Sequence, residues 1–148
     1  MRDHIVPAGI IWLLLLGLIV QPGLALVRVG GGLLLAQPPE PFVRLSLDLL
    51  LLGFDLDYLP QMGELPWLVP CLKLRLPLLL VTPYIGIAPI LQLEPAGPTL
   101  LSTMALLKAG SELALPSGAF FAELQLWASL PQFQIGQPGL ALGILVGF

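Results

Sequence analysis

The last ten residues of this chain alternate without a break. Leu140, Leu142, Ile144, Val146 and Phe148 fall on one side, and Gly139, Ala141, Gly143, Leu145 and Gly147 on the other. A side-chain period of two is the signature of a β-strand. A strand whose large apolar side chains share one face must lay that face against something equally apolar, either a core or lipid.

Composition decides between those two. The chain of 148 residues is 57% hydrophobic and only 10% charged, with a mean hydropathy of +0.95. Soluble domains carry about 25% charged residues, and a water-facing surface needs roughly that density. Too few charges are present to cover an aqueous exterior. Sixteen glycines and sixteen prolines are spread along the whole length. They leave little room for spanning helices, which need about 20 consecutive apolar residues. The apolar stretch 76–91 is interrupted by Pro77, Pro83 and Pro89.

The one helical candidate is Ile10–Val20, short for a span and suited to the core of a signal peptide. Arg2 supplies the positive start, Gln21 and Pro22 break the apolar run, and Gly23-Leu24-Ala25 offers small residues for cleavage. The expectation is a signal peptide over 1–25 and a β-barrel domain over 26–148. The single cysteine, Cys71, has no partner for an intramolecular disulfide.

From Leu26 onward alternation predicts eight strands, near 26–35, 42–50, 53–59, 71–78, 84–93, 100–115, 119–130 and 138–148. Most approach the roughly 9–11 residues of a tilted spanning strand. Tight connections (51–52, 79–83, 116–118) alternate with longer ones (36–41, 60–70, 94–99, 131–137), as short periplasmic turns and longer external loops do. Within each strand every base (Arg28, Arg44, Lys73, Arg75 and Lys108) lies opposite the apolar stripe. So do the acids Asp48, Asp55, Asp57, Glu112 and Glu123, whereas Glu40, Glu64 and Glu94 fall in the longer connections. Five positive and five negative side chains on the inner face predict an ion-paired bore, and eight strands leave an interior about wide enough for side chains alone. Turn centres place Asp57 opposite Lys73, Asp55 opposite Arg75, Asp48 beside Asp55, and Glu112 close to Glu123. The last pair is open to two readings: a shared proton, or neutralisation by Lys108 or another base across the bore.

Signs of catalysis are sparse. The only histidine, His4, lies in the expected signal peptide, which leaves Ser46, Ser102, Ser111, Ser117 and Ser129 without the imidazole base of a hydrolase or acyltransferase. Gly30-Gly31-Gly32 lacks the helix and lysine of a phosphate loop and fits a bend or a close strand approach. No metal-ligand cluster, cofactor motif or basic nucleic-acid surface is legible. Phe42, Phe54, Tyr58, Tyr84, Phe120, Trp127, Phe133 and Phe148 cluster near strand ends, as interfacial aromatic belts do.

With the terminal strand, the Thr82-Pro83-Tyr84-Ile85-Gly86-Ile87-Ala88-Pro89 stretch and Phe120-Phe121-Ala122-Glu123-Leu124-Gln125, the chain resembles the small eight-stranded outer-membrane barrels of the OmpA/OmpX-like and OmpW-like superfamily. The resemblance covers most of the chain as a pattern and includes no diagnostic short motif. It implies an all-β, antiparallel up-and-down transmembrane barrel in the outer membrane. It also implies an assembly signal at Leu142, Ile144, Val146 and Phe148, read by the outer-membrane assembly machinery. The expected partners are membrane lipid and that machinery, with no nucleic acid, and the expected state is a monomer. The leading expectation is a non-enzymatic barrel with a structural or surface-loop role in the envelope. Inward leucines (Leu34, Ile90, Leu106, Leu145) motivate an alternative, a narrow passage for small hydrophobic molecules. A secreted lipocalin-like lipid binder, with the two faces reversed, is the third.

Overall fold

The computed structural model describes residues 27–147; the expected signal peptide and Phe148 lie outside the described residues. The described chain is all β, with no helix. In order come β1 (Val27–Leu35), β2 (Glu40–Leu49), β3 (Leu52–Leu59), β4 (Trp67–Arg75), β5 (Val81–Glu94), β6 (Gly97–Leu115), β7 (Gly118–Ser129), the two-residue β8 (Gln134–Ile135) and β9 (Gly139–Gly147). Each strand from β1 to β7 pairs antiparallel with the next, and β9 lies between β7 and β1. The result is a closed eight-stranded barrel of β1–β7 and β9. β8 bonds only to the end of β7, where it prolongs the line of β9.

The barrel is staggered. From Leu35 the ladders lead through Leu140, Leu124, Ala109, Ile85, Leu74 and Leu52 to Leu49. The first ladder pairs Leu47 with Val27, so Leu49 falls two positions before Val27, ten residues from the start. A stagger of this size in eight strands corresponds to a tilt of about 40°.

Closure sorts the side chains by parity. Leu45, Leu72, Ile87, Leu124, Leu140 and Ile144 stand exposed on the outside. Arg44, Asp55, Lys73, Lys108 and Glu123 are buried inside, as are Leu34, Ile90, Leu106 and Leu145. Strand faces therefore follow the alternation of the sequence, except in β6, where a bulge opposite Pro89–Leu91 turns Leu101 toward the inner cluster; three registers do not follow expectation. The β2–β3 turn is the tight pair Leu50-Leu51, so Arg44 faces Asp57 and Asp48 faces Gly53, not Asp55. Between β3 and β4, Asp55 faces Cys71 and Asp57 faces Val69, in place of Arg75 and Lys73. Between β6 and β7, Glu123 faces Gly110 and Glu112 faces Phe121, which separates the two glutamates along the wall.

The largest boundary error has a physical cause. β4 begins at Trp67 and runs through Pro70, although proline read as a loop residue. Pro70 has no N–H, but that missing donor would point toward β5, so its pairing with Leu56 of β3 is intact. The expected 94–99 loop is likewise a two-residue turn at Pro95-Ala96, closed by Glu94 and Gly97. Three of the expected belt aromatics turn inward: Phe42 and Tyr84 are buried and Trp127 packs against the inner apolar cluster. Phe54, Tyr58 and Phe120 stay outside.

Candidate functional site in the bore

The inner face carries three layers of side chains, set by how far each lies from the short turns. Nearest the turns, Arg28 Nη2 contacts Asp48 Oδ2 at 2.6 Å and donates to Glu112 Oε2 at 2.7 Å. Arg75 reaches the same two acids, at 2.6 Å to Asp48 and 3.0 Å to Glu112. Lys73 Nζ lies 3.2 Å from Glu112 and 2.8 Å from Asp55, linking this cluster to the next.

Arg44 is the centre of the middle layer. Its Nε and Nη2 donate to the two carboxylate oxygens of Asp57 at 2.6 and 2.8 Å. Nη1 and Nη2 donate to Glu123 at 3.0 and 2.6 Å. Such two-pronged pairing matches the planar fork of a guanidinium. Lys108 Nζ pairs with Asp57 and lies 3.6 Å from Glu123. Tyr84 Oη and Gln125 Nε2 complete the shell of Glu123 at 2.6 and 2.7 Å, and Ser46 Oγ donates to Asp55 at 2.6 Å. Every one of the five carboxylates faces at least two bases, so none is left to gather around a cation. This matters because a buried charge deprived of its partner costs about 3–5 kcal/mol.

Glycine makes room for this layer. A Cβ at Gly32 would fall 2.8 Å from Phe42 Cζ, and one at Gly143 would strike the Phe121 ring. Where β1 meets β9, the bare backbone lets these two aromatic rings lie close to the wall. The Arg44 guanidinium then sits 5.2 Å from the Phe42 centroid and 4.4 Å from that of Phe121, within cation–π range. The third layer, toward the longer loops, is apolar: Leu34, Leu59, Val69, Ile90 and Leu106 form one buried cluster with Phe42 and Phe121. Trp67 and Trp127 pack against it, edge to face at 5.7 Å.

All ten charged residues singled out in the sequence therefore lie in the bore, joined into one network. Glu112 and Glu123 do not share a proton site; they are held by different bases, Arg28, Lys73 and Arg75 for the first, Arg44 and Lys108 for the second. Asp55 and Asp57 likewise form no free carboxylate pair. Sequence reasoning missed Ser46, Phe42, Tyr84, Phe121 and Gln125 as members of the inner face. Parity alone would have found all five, because Phe42 and Ser46 flank Arg44, Phe121 and Gln125 flank Glu123, and Tyr84 alternates with the outward Ile85 and Ile87. Leu142, Ile144 and Val146 lie on the outward face of β9. Comparison of the chain with protein-family models, with curated proteins and with solved structures finds no match.

Proposed function

We propose that this protein is a non-enzymatic β-barrel of the outer membrane with a structural role in the cell envelope, presenting the connections 36–39, 60–66 and 130–138 outside. One observation carries the reading. Leucines exposed around the circumference would be wasted in water, and ten charges turned into the bore, eight of them buried and Asp48 and Arg75 half-buried, are absent from that belt. Lipid tails resolve both facts at once, since the apolar belt then meets hydrocarbon and the strands of the wall pair around a closed sheet, apart from one break between β4 and β5. A soluble lipid binder needs the reverse sorting, charges outward and leucines inward, which is not the arrangement of this barrel.

The filled bore supports a structural role over a channel. Arg44, Lys73, Asp55, Phe121 and Ile90 have no exposed surface, and they block the axis at successive levels. Fractionation with heat-modifiable gel mobility tests the reading: the chain is expected in the outer-membrane fraction, migrating faster unheated than boiled. Recovery in a soluble fraction would refute it. A second reading, passage of small hydrophobic molecules, draws on the apolar third layer; planar-bilayer recordings and uptake of an apolar probe separate the two.

A further inference from the structure

Hydrogen bonding is not uniform around the wall. Along the β4–β5 seam, Leu76 N–H donates to Pro83 O at 2.9 Å, Leu78 N–H to Val81 O at 3.1 Å, and Leu93 N–H to Pro66 O at 2.9 Å. Even-numbered residues of β4 and odd-numbered residues of β5 thus turn their backbone groups toward each other. Pro66, Pro70, Pro83 and Pro89 all stand at such positions, so four ladder donors are missing from this one seam. Two of the losses coincide. The pairs Leu68–Leu91 and Leu72–Ile87 share one register, which sets Pro70 directly opposite Pro89, and no pairing forms between those flanking pairs. The unbonded stretch covers three residues on each strand, and the flanking pairs stand four steps apart, roughly 13 Å of wall at 3.3 Å per residue.

What lies behind the breach is as telling. Its inward residues are Cys71 and Ala88, small and fully buried, flanked by Val69 and Ile90 of the apolar layer. The break spans the border between the ionic middle layer, where Cys71 stands beside Asp55 in the ladder, and the apolar layer of Val69 and Ile90. Outside, on the same seam toward the turns, lies an open groove of about 460 Å³ lined by Leu51, Leu74, Leu76, Pro83 and Ile85, with Arg75 and Tyr84 at its floor. That volume is in the range of small-molecule sites, about 300–1,000 Å³. The ionic layers bar hydrocarbon from travelling along the axis, since it would have to displace paired charges. The route from the apolar layer to the bilayer therefore runs sideways.

We propose that the β4–β5 seam is a lateral port for one lipid acyl chain, which lies in the outer groove and passes its end between Pro70 and Pro89, displacing side chains of the apolar layer that fill the bore in its closed form. The proposal rests on the membrane reading above, and one experiment keeps the two apart. Refolded protein in phospholipid vesicles is irradiated with a long-chain fatty acid carrying a terminal diazirine, and the adducts are mapped by mass spectrometry. Adducts on outward Leu124 and Leu142 report membrane insertion; adducts on inward Val69, Ile90 or Leu106 report the port. Ala88→Cys supplies a lock, because Cys71 and residue 88 face each other across a non-hydrogen-bonded pair. Such pairs have Cα atoms about 4.5 Å apart, within disulfide reach. Expected are inward adducts in the native protein, their loss in oxidised A88C, their return on reduction, and outward adducts throughout. Pro70→Val with Pro89→Val restores both donors and is expected to suppress inward adducts without any cysteine chemistry. Outward adducts without inward ones in the native protein overturn the port alone, as do inward adducts that neither the lock nor the proline replacements reduce. Absence of outward adducts overturns the membrane reading.

Discussion

Arg44 is the residue whose loss the bore should tolerate least. It bonds both oxygens of Asp57 and both of Glu123, lies 3.5 Å from Asp55, and has no exposed surface. Arg44→Met keeps much of the volume and leaves the bore one negative charge in excess, with Asp57 and Glu123 sharing Lys108. Removing one partner of a buried pair costs about 3–5 kcal/mol, and the lost stacking over Phe121 adds about 0.5–2 kcal/mol. Glu123→Gln is the mirror case. It leaves one positive charge in excess, and its amide can still accept from Tyr84; about 2–4 kcal/mol is expected from the same buried-charge penalty. Combining the two restores five-residue balance to four against four, and Asp57 keeps Lys108. The double variant should therefore be more stable than the sum of the singles implies, by about 1–3 kcal/mol. Urea unfolding in lipid vesicles, followed by the fluorescence of Trp67 and Trp127 and by gel mobility, measures all four corners of the cycle. Additivity within about 0.5 kcal/mol, or single costs below about 1 kcal/mol, would refute the idea that the charges act as one desolvated network.

The same assay reads the other predictions. Leu124→Arg and Leu142→Arg should each cost about 2–4 kcal/mol if their level lies near the bilayer midplane, whereas Leu79→Arg, at a turn tip, should cost about 0–1 kcal/mol; equal costs would argue against a lipid-facing belt. Leu50 opens the two-residue β2–β3 turn at φ 52°, a conformation that costs an L-residue about 1–2 kcal/mol, so Leu50→Gly should stabilise by about 1 kcal/mol. Gly143→Ala should destabilise by about 1–3 kcal/mol through overpacking against both the Gly31 carbonyl oxygen and the Phe121 ring, and Phe121→Leu in the same chain should recover only the ring's share of the loss. Planar-bilayer recordings should show no stepwise conductance from the native protein.

Faces were legible in the sequence, and registers were not. A period of two survives any shift by an even number of residues, so parity reports which side a residue takes and says nothing of its height. Height is fixed by the turns, and the turns here carry unusual chemistry. Leu50-Leu51 has neither the glycine nor the asparagine that marks a tight hairpin, so alternation alone carries the strand to 50 and resumes it at 53. Pro70 hid the start of β4, since a proline in a strand is admissible only where its missing donor faces a gap. The bore aromatics were misassigned for a different reason. Phe42, Tyr84 and Trp127 sit near strand ends, where aromatic belts also lie, and proximity to an end was weighed above the parity they share with Arg44, Gly86 and Gln125.

These errors bear on why the bore is ionic at all. Well-packed apolar residues would often be as stable as buried ion pairs, or more so, and this chain has leucine in abundance. An outward face that is uncharged along every strand, however, cannot tell one even register from the next. The inner charges can. Two residues away from the observed β2–β3 register, Asp48 would stand beside Asp55 and Arg44 would face Leu59. The same shift between β6 and β7 would bring Glu112 against Glu123. Each slip gathers like charges or strands a base in a desolvated bore, at a cost on the scale of a broken buried pair. The β3–β4 hairpin is the exception, because a shift of two residues would put Asp55 beside Lys73, and a shift of four would put Asp57 beside Lys73 and Asp55 beside Arg75. There the constraint comes from across the barrel, since Asp57 is already committed to Arg44 and Lys108. In a wall this uniform, the ion network supplies the height information that the apolar pattern lacks.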